Sequence, residues 1–148
     1  MNYTCEVVIN LPRERVISLF DDPANLVKWQ PGLVSFEPLT GVPGQPGARS
    51  RLTYRLGRRT IEMVETVTTR NLPREFSGTY ATEGGCSTVR NEFHEETASR
   101  TRWLAHSEYR CDGLPMRLMS WLMPSAFRRQ TQKFMDQFKA FAETAGAG

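Results

Sequence analysis

The chain has 148 residues, of which 39% are hydrophobic and 24% are charged, and this composition excludes an intrinsically disordered protein. The length suits one domain with its own core, so residues 1–148 are expected to fold as a single unit. The formal net charge of +3 is spread over scattered arginines and glutamates rather than collected into a basic stripe, which argues against a nucleic-acid partner.

The cysteines and the amino-terminal residues bear on the compartment of the protein. Cys5, Cys86 and Cys111 are odd in number and lack CxxC spacing, so they predict neither a disulfide framework nor a zinc site. The chain opens without a basic start and a long apolar run, and no stretch is apolar enough to span a membrane. We therefore expect a soluble cytoplasmic protein with no metal, no cofactor and no integral membrane association.

The first third of the chain reads as one strand and two short helices. Alternating apolar residues predict a strand over 3–11. Pro12 suits the first turn of a helix, and apolar residues at helical spacing continue it over 12–21. The Asp-Pro pair at 22–23 is a cap and first turn for a second short helix, which ends near Trp29 before the Pro-Gly pair at 31–32.

Runs with strand character follow, separated by turn-forming sequences. They span 33–39, 50–56, 60–69, 75–82, 87–96 and 102–111. Successive strands joined by short turns predict an antiparallel meander. After Gly113 the pattern changes to a long amphipathic helix, which Pro124 kinks or restarts. Because this helix is the one element long enough to cover the apolar face of the sheet, the sheet must curl around it.

Alternation along the strands also predicts which side chains face the helix, if the more apolar side of each strand points inward. In the second strand this places Val34 and Phe36 inside. The same rule brings polar groups into an otherwise apolar interior, which is typical of a small-molecule site. The candidate ligand-binding residues are Trp29, Tyr54, Met63, Glu65, Tyr80, Asn91, Phe93, Ser107, Tyr109, Met119, Leu122, Met123 and Phe127.

Glu65 is the best candidate for a catalytic group, because a carboxylate on an inward position must be paired, hydrated or turned toward a ligand. The alternative is that Glu65 lies near a strand end, reaches solvent or Arg59 and has no chemical role. Trp29 has a similar alternative as a staple between the small helices and the sheet. His94 and His106 fall on the outward side without a readable nucleophile or metal spacing, so we do not expect them to be catalytic.

Residues 7–33, with the sequence VVINLPRERVISLFDDPANLVKWQPGL, resemble the START-like superfamily of helix-grip proteins (SRPBCC), also called the polyketide cyclase/dehydrase and lipid transport family. The matching positions are Pro12, Val16, Leu19, Phe20, Asp22, Pro23, Leu26, Trp29, Pro31 and Gly32. The ending FRRQTQKFMDQFKAFAE, 127–143, is similar to the terminal helix of that family. The resemblance implies an α+β helix-grip fold: a curved, seven-stranded antiparallel sheet around the C-terminal helix, with two short helices closing one end of a deep apolar cavity.

The resemblance implies an architecture more than an activity, because the superfamily holds carriers, cyclases, ring-hydroxylase subunits and chaperone cofactors. The first function is a carrier or sensor of a small hydrophobic or amphipathic ligand, a lipid included, whose polar end Glu65, Asn91 and Ser107 orient. The second is a cyclase/dehydratase in which Glu65 is the general base and Tyr54 or Tyr109 donates to a developing enolate. The third is a chaperone-interacting module that uses the exposed face and the loop 41–47. A homodimer also remains open.

Overall fold

One antiparallel sheet organises the protein, whose computed structural model describes residues 2–111 and 124–146. The elements are β1 (Asn2–Ile9), α1 (Arg13–Phe20), a 3₁₀ turn (Pro23–Asn25), α2 (Leu26–Trp29), β2 (Leu33–Thr40), β3 (Arg49–Leu56), β4 (Arg59–Asn71), β5 (Glu75–Thr82), β6 (Gly85–Thr97), β7 (Arg100–Cys111) and α3 (Pro124–Gly146). Each predicted strand agrees with the observed one to within two residues at either end.

The strands lie in the order β1-β7-β6-β5-β4-β3-β2, so the predicted meander from β2 to β7 is confirmed. The first strand then pairs with the last, and β1 and β2 become the two edges of the seven-stranded sheet. The long helix α3 packs chiefly along β1. The expected helix-grip architecture is therefore the observed one.

The two short helices begin and end where local chemistry dictates. Asp22 accepts a hydrogen bond from the backbone N–H of Ala24 at 3.0 Å, which caps the turn that follows α1. The second predicted helix is divided into a 3₁₀ turn and a single α-helical turn. It ends before Gly32, whose φ of 81° lies in the left-handed region that glycine adopts without strain.

Aromatic side chains fill the part of the core that lies near α1. Phe20 and Trp29 from the short helices meet Trp103 from β7 and Phe138 from α3, with ring centroids 5.1 to 6.3 Å apart. Such edge and stacked contacts add to the burial of large apolar rings. The same end of α3 is fixed to β1, because the Lys139 ammonium donates to the carbonyl of Val8 at 2.6 Å.

The inward side of the strands is the predicted one except at Val34, whose prediction is wrong. Val34 is 58% exposed. Leu33 pairs with Tyr54 and Ser35 pairs with Thr53, so β2 carries an additional residue at this point. A bulge of this kind reverses the alternation locally, and Leu33 and Phe36 pack inward in place of Val34.

Arg70 joins α1, β4 and the loop between β2 and β3. Its guanidinium donates to both carboxylate oxygens of Asp21, at 2.8 and 2.6 Å, and to the carbonyl of Gly44 at 3.1 Å. The Asp21 carboxylate raises the pKa of Arg70 through these hydrogen bonds. Paired two-point contacts between arginine and a carboxylate are the strongest of the surface ion pairs.

We expect Arg70→Met to lower the free energy of unfolding by about 1–2 kcal/mol, because it removes charge-assisted hydrogen bonds from partly buried groups. The matched control is Arg51→Met, which breaks a single-point pair with Glu37 between side chains that are 41% and 58% exposed. The free energy of unfolding of that variant should fall by less than about 0.5 kcal/mol. Urea denaturation of both variants measures the difference, and equal losses would contradict the joining role of Arg70.

Candidate functional site

The interior between the sheet and α3 has two ends that differ in how completely the protein fills them. Near α1, Phe93, Trp103 and Phe138 are almost fully buried. At Ser87, six residues before Phe93 on β6, the inward side chains are only half-buried. The rise of a strand puts these two positions about 20 Å apart. The half-buried set comprises Met63, Glu65, Tyr80, Ser87, Tyr109, Phe127 and Phe134. These residues outline the candidate site, beneath the first half of α3.

A line of polar side chains crosses the sheet at this end, and we call it the polar row. The residues that face one another on neighbouring strands are Ser50, Glu65, Tyr80, Ser87 and Tyr109, in the order β3 to β7. Directly opposed residues share one face of a sheet, so the row lies together on the inner face. It interrupts an interior that is otherwise mostly apolar.

Glu65 and Tyr80 form the centre of the polar row. Burial is the largest influence on the Glu65 carboxyl and raises its pKa, while a hydrogen bond from the Tyr80 hydroxyl acts in the opposite direction. Burial, followed by the charge of Glu65, raises the pKa of Tyr80 well above its usual value. As whole residues both are half-buried, while burial dominates the surroundings of the carboxyl and the hydroxyl themselves. The two polar groups therefore lie inside the fold rather than on its surface.

No cation among the described residues neutralises Glu65. The ion pairs of the residues in 2–111 and 124–146 all lie elsewhere, and no arginine or lysine lowers the pKa of this carboxyl. The alternative in which Glu65 reaches Arg59 is therefore not the observed arrangement. An unneutralised carboxylate inside a protein is costly, so its presence requires a reason.

Tyr54 lies beside this centre with its hydroxyl already engaged. The hydroxyl donates to the side-chain oxygen of Gln30 at 2.5 Å, and the ring stacks on Phe134 of α3 at 6.2 Å. Burial and then the charge of Glu65 raise the pKa of Tyr54. The closest phenol to the carboxylate is consequently Tyr80, while Tyr54 forms an apolar wall together with Phe134 and Met63.

Ser107 and Tyr109 extend the candidate site onto β7, and Tyr109 connects it to α3. Ser107 is 5% exposed, and its hydroxyl has no hydrogen-bond partner within residues 2–111 and 124–146. A buried hydroxyl without a partner costs free energy unless something else binds it. The ring of Tyr109 packs against Phe127 at 4.4 Å, which brings the first turns of α3 to the end of the polar row.

The structure does not bring Trp29, Asn91 and Phe93 to the polar row. Asn91 donates to the carbonyl of Phe76 at 3.2 Å and accepts from the indole of Trp103 at 2.9 Å, so both polar atoms of its side chain are used by the protein. Phe93 stacks on the same indole, and Trp29 packs between Phe20 and Phe138 as a staple would. Ligand contact by these residues stays a prediction. Met119, Leu122 and Met123 lie outside the described residues.

Sequence reasoning missed Ser50, Ser87 and Gln30. Ser50 and Ser87 lie two residues before the inward Leu52 and Val89, so the same alternation could have identified them. Alternation alone could not show that the two serines belong to the polar row. The row forms because the register of five strands places its residues opposite one another. Gln30 gave no signal, because it lies in the turn after α2 and reaches Tyr54 only through the tertiary fold.

Other chemical groups of the described residues lie away from this interior. His106 faces outward and contacts Glu92 at 2.6 Å and Thr4 at 3.0 Å. In residues 2–111 and 124–146, no cluster of three or more His, Cys, Asp or Glu side chains is arranged to hold a metal ion. No helix within the same ranges has the length and apolar character needed to cross a membrane. An open groove of about 420 Å³ lies on the solvent side of α3, between Arg129 and Ala140, and contains none of the candidate residues.

Comparisons with known proteins agree with the fold. The model of the family described as polyketide cyclase / dehydrase and lipid transport matches residues 2–143. The chain belongs to this family. Its description covers both catalysis and lipid transport, so membership leaves the activity open. The search of curated proteins finds no match.

Solved structures of similar fold include proteins named as enzymes. TTHA0849 from Thermus thermophilus has a TM-score of 0.80 at 16% identity, over 98% of this chain and 99% of that one. The Zhui aromatase/cyclase from Streptomyces sp. R1128 has a TM-score of 0.79 at 13% identity, over 97% and 93%. The di-domain ARO/CYC StfQ of the steffimycin biosynthetic pathway reaches 0.78 at 15% identity, over 99% of this chain and 46% of that one. Identities this low establish a shared fold.

We expect Glu65→Gln to change how stability depends on pH. Because folding raises the pKa of Glu65 above its ordinary value of 4.5, the folded state holds this proton more tightly than the unfolded state does. The contribution of Glu65 to stability is then full below pH 4.5 and is lost as the pH rises through the raised pKa. The wild type should therefore lose stability relative to Glu65→Gln across that window.

Urea denaturation from pH 4 to 8 measures this difference. Glu62→Gln removes a carboxylate from the exposed, outer side of the same strand and serves as the control. The same pH dependence in both variants, or a wild type that gains stability relative to Glu65→Gln as the pH rises, would contradict the buried placement of Glu65.

Proposed function

We propose that this protein binds a small hydrophobic or amphipathic molecule between the sheet and α3, as a carrier or sensor in the cytoplasm. The observation that carries the proposal is the Glu65–Tyr80 pair, which lies desolvated on the inner face of the sheet and without a cation among the described residues. Membership of a family whose description includes lipid transport supports it. The polar row would contact the polar end of the ligand.

The apolar walls supply most of the affinity in this proposal. Tyr54, Phe134 and Met63 form one wall, and Tyr109 packed on Phe127 forms another. A ligand that buries about 300 Å² of apolar surface gains roughly 7 kcal/mol before the cost of its immobilisation is deducted. Because folding has already desolvated Glu65, a ligand group that meets it does not have to displace a full hydration shell.

Native mass spectrometry of freshly purified protein should detect a bound small molecule, and the neutral dye Nile red should bind with enhanced fluorescence. Ser87→Trp should weaken Nile red binding at least tenfold, because the indole fills the interior between Tyr80 and Tyr109. Thr88→Trp is the control, since Thr88 is the next residue of β6 and is exposed. Equal effects of the two variants, or no dye binding by the wild type, would contradict an internal binding site.

A second candidate function is catalysis of ring closure and loss of water, and the contact between Glu65 and Tyr80 favours it. A carboxyl with a raised pKa can remove a proton from the carbon beside a carbonyl near neutral pH. The enolate so formed would attack a second carbonyl of the same molecule and form the new carbon–carbon bond. The protonated Glu65 would return its proton to the alkoxide that this attack creates, which gives a hydroxyl. Glu65 would then remove a second proton from the same carbon and pass it to that hydroxyl, which leaves as water.

A synthetic linear triketone tests this second function, with ring closure followed by ultraviolet absorbance and loss of water by mass spectrometry. If the protein is such an enzyme, the wild type accelerates closure and Glu65→Gln lowers the rate at least about a hundredfold. Nile red binding by the same variant should persist, which separates chemistry from binding. A wild type that binds the triketone without accelerating closure would contradict catalysis of this kind and leave the binding function intact.

A further inference from the structure

The described residues give the interior site one kind of charge. Along the polar row the neighbours of Glu65 are neutral, namely Ser50, Tyr80, Ser87 and Tyr109. Arg55, Arg90 and Arg110 of the same strands are exposed to solvent, and Arg70 is occupied by Asp21. A molecule that enters this part of the fold therefore meets a carboxylate and no compensating cation from the described residues.

The hydrogen bonds of Glu65 are also incomplete. A carboxylate offers about four acceptor positions on its two oxygens. Tyr80 is the one side-chain donor among the described residues that acts to lower the pKa of this carboxyl. The remaining positions suit a ligand group that donates hydrogen bonds. A ligand carboxylate would instead place two negative charges side by side, which is unfavourable in a desolvated interior.

Two tyrosines lie near Glu65, and aromatic rings favour a positive charge over a neutral donor. Tyr80 lies opposite Glu65 on the neighbouring strand, and the charge of Glu65 also raises the pKa of Tyr54. The ring of Tyr54 is held in place by Phe134 and by the bond to Gln30. The faces of such rings attract ammonium groups, most strongly where water is excluded. A cation also neutralises the carboxylate, which a hydroxyl or an amide cannot do.

The geometry points to a ligand that is an apolar amine, whose protonated nitrogen pairs with Glu65 among the rings of Tyr54 and Tyr80 while its apolar body lies beneath the first half of α3. This inference rests on the proposed binding function and names the chemical class of its ligand. It explains why the interior keeps a carboxylate with open acceptor positions and no cation beside it among the described residues.

Ser107 is an independent sign that the interior awaits a polar group. Its buried hydroxyl has no partner among the described residues, although it lies on the inner face between Val89 and Tyr3. Ser107 is on β7 and Glu65 is on β4, three strand spacings or about 14 Å apart along the sheet. A second polar atom on the ligand, remote from the nitrogen, would satisfy this hydroxyl.

Displacement of Nile red by three ligands that share the same ten-carbon alkyl chain tests the inference. The probes are decylamine, decanol and decanoate at neutral pH, at concentrations below micelle formation. We expect decylamine to bind about ten- to a hundredfold more tightly than decanol, because its ammonium group alone forms an ion pair with Glu65. Decanoate should bind most weakly of the three. This ranking is measured on the wild type and does not depend on how a variant folds.

The Glu65→Gln variant tests whether Glu65 is the source of the preference for decylamine over decanol. This variant should bring the affinity for decylamine to within about threefold of that for decanol, and a cooperative urea transition shows that it folds. Glu62→Gln should retain the full preference, because Glu62 is exposed on the outer side of β4. Two results overturn the inference: equal binding of decanol and decylamine, or a preference that survives in Glu65→Gln. In both, binding of Nile red leaves the proposed function standing, whereas failure of all ligands and of the dye would remove that function itself.

Discussion

The constraint on which this structure depends is that one face of a single sheet must cover one apolar side of α3. Met135, Phe138 and Ala142 of α3 are buried against this face, and β1 is tied to the helix through Lys139. A sheet that curls around a helix can pack tightly only where large side chains fill the gap. Rings from α1 and α2 fill it at one end, and the inward residues remain half-buried at the other. The polar row lies at the incompletely filled end.

No cation of the described residues neutralises the carboxylate of Glu65, and the fold tolerates the resulting cost in stability. Desolvation disfavours its charged form, and Tyr80 offsets only part of that effect. An apolar residue of similar size would be expected to stabilise the folded state, as replacements of buried charges often do. Proteins commonly retain such destabilising groups at binding and catalytic sites, where the group is useful to a ligand rather than to the fold. The contrast with Arg70 and Asp21, which neutralise each other, makes Glu65 stand out.

The sequence predicted the strands well because period-two alternation and turn-forming residues are local signals. It also placed Glu65 and Tyr80 correctly on the inner side, since the side of a strand follows from counting residues. Counting failed at Val34, where a bulge in β2 reverses the alternation and leaves no local trace. It could not tell that Tyr80 lies opposite Glu65, or that Asn91 is occupied by Trp103 and Phe76, because register and tertiary hydrogen bonds join residues far apart in the chain.

The two functions open to this site place opposite demands on the charge of the ligand. A protonated amine beside Glu65 favours the ionised carboxylate, lowers the pKa of that group and leaves it unable to deliver a proton. Catalysis of ring closure requires the reverse, since Glu65 must first accept a proton and then release it to a departing hydroxyl. That exchange needs a neutral substrate and a pKa that stays raised in the complex. One carboxylate cannot serve as a permanent counter-ion and as an acid in the same complex. The charge of the preferred ligand therefore distinguishes ligand transport from catalysis, in addition to setting specificity.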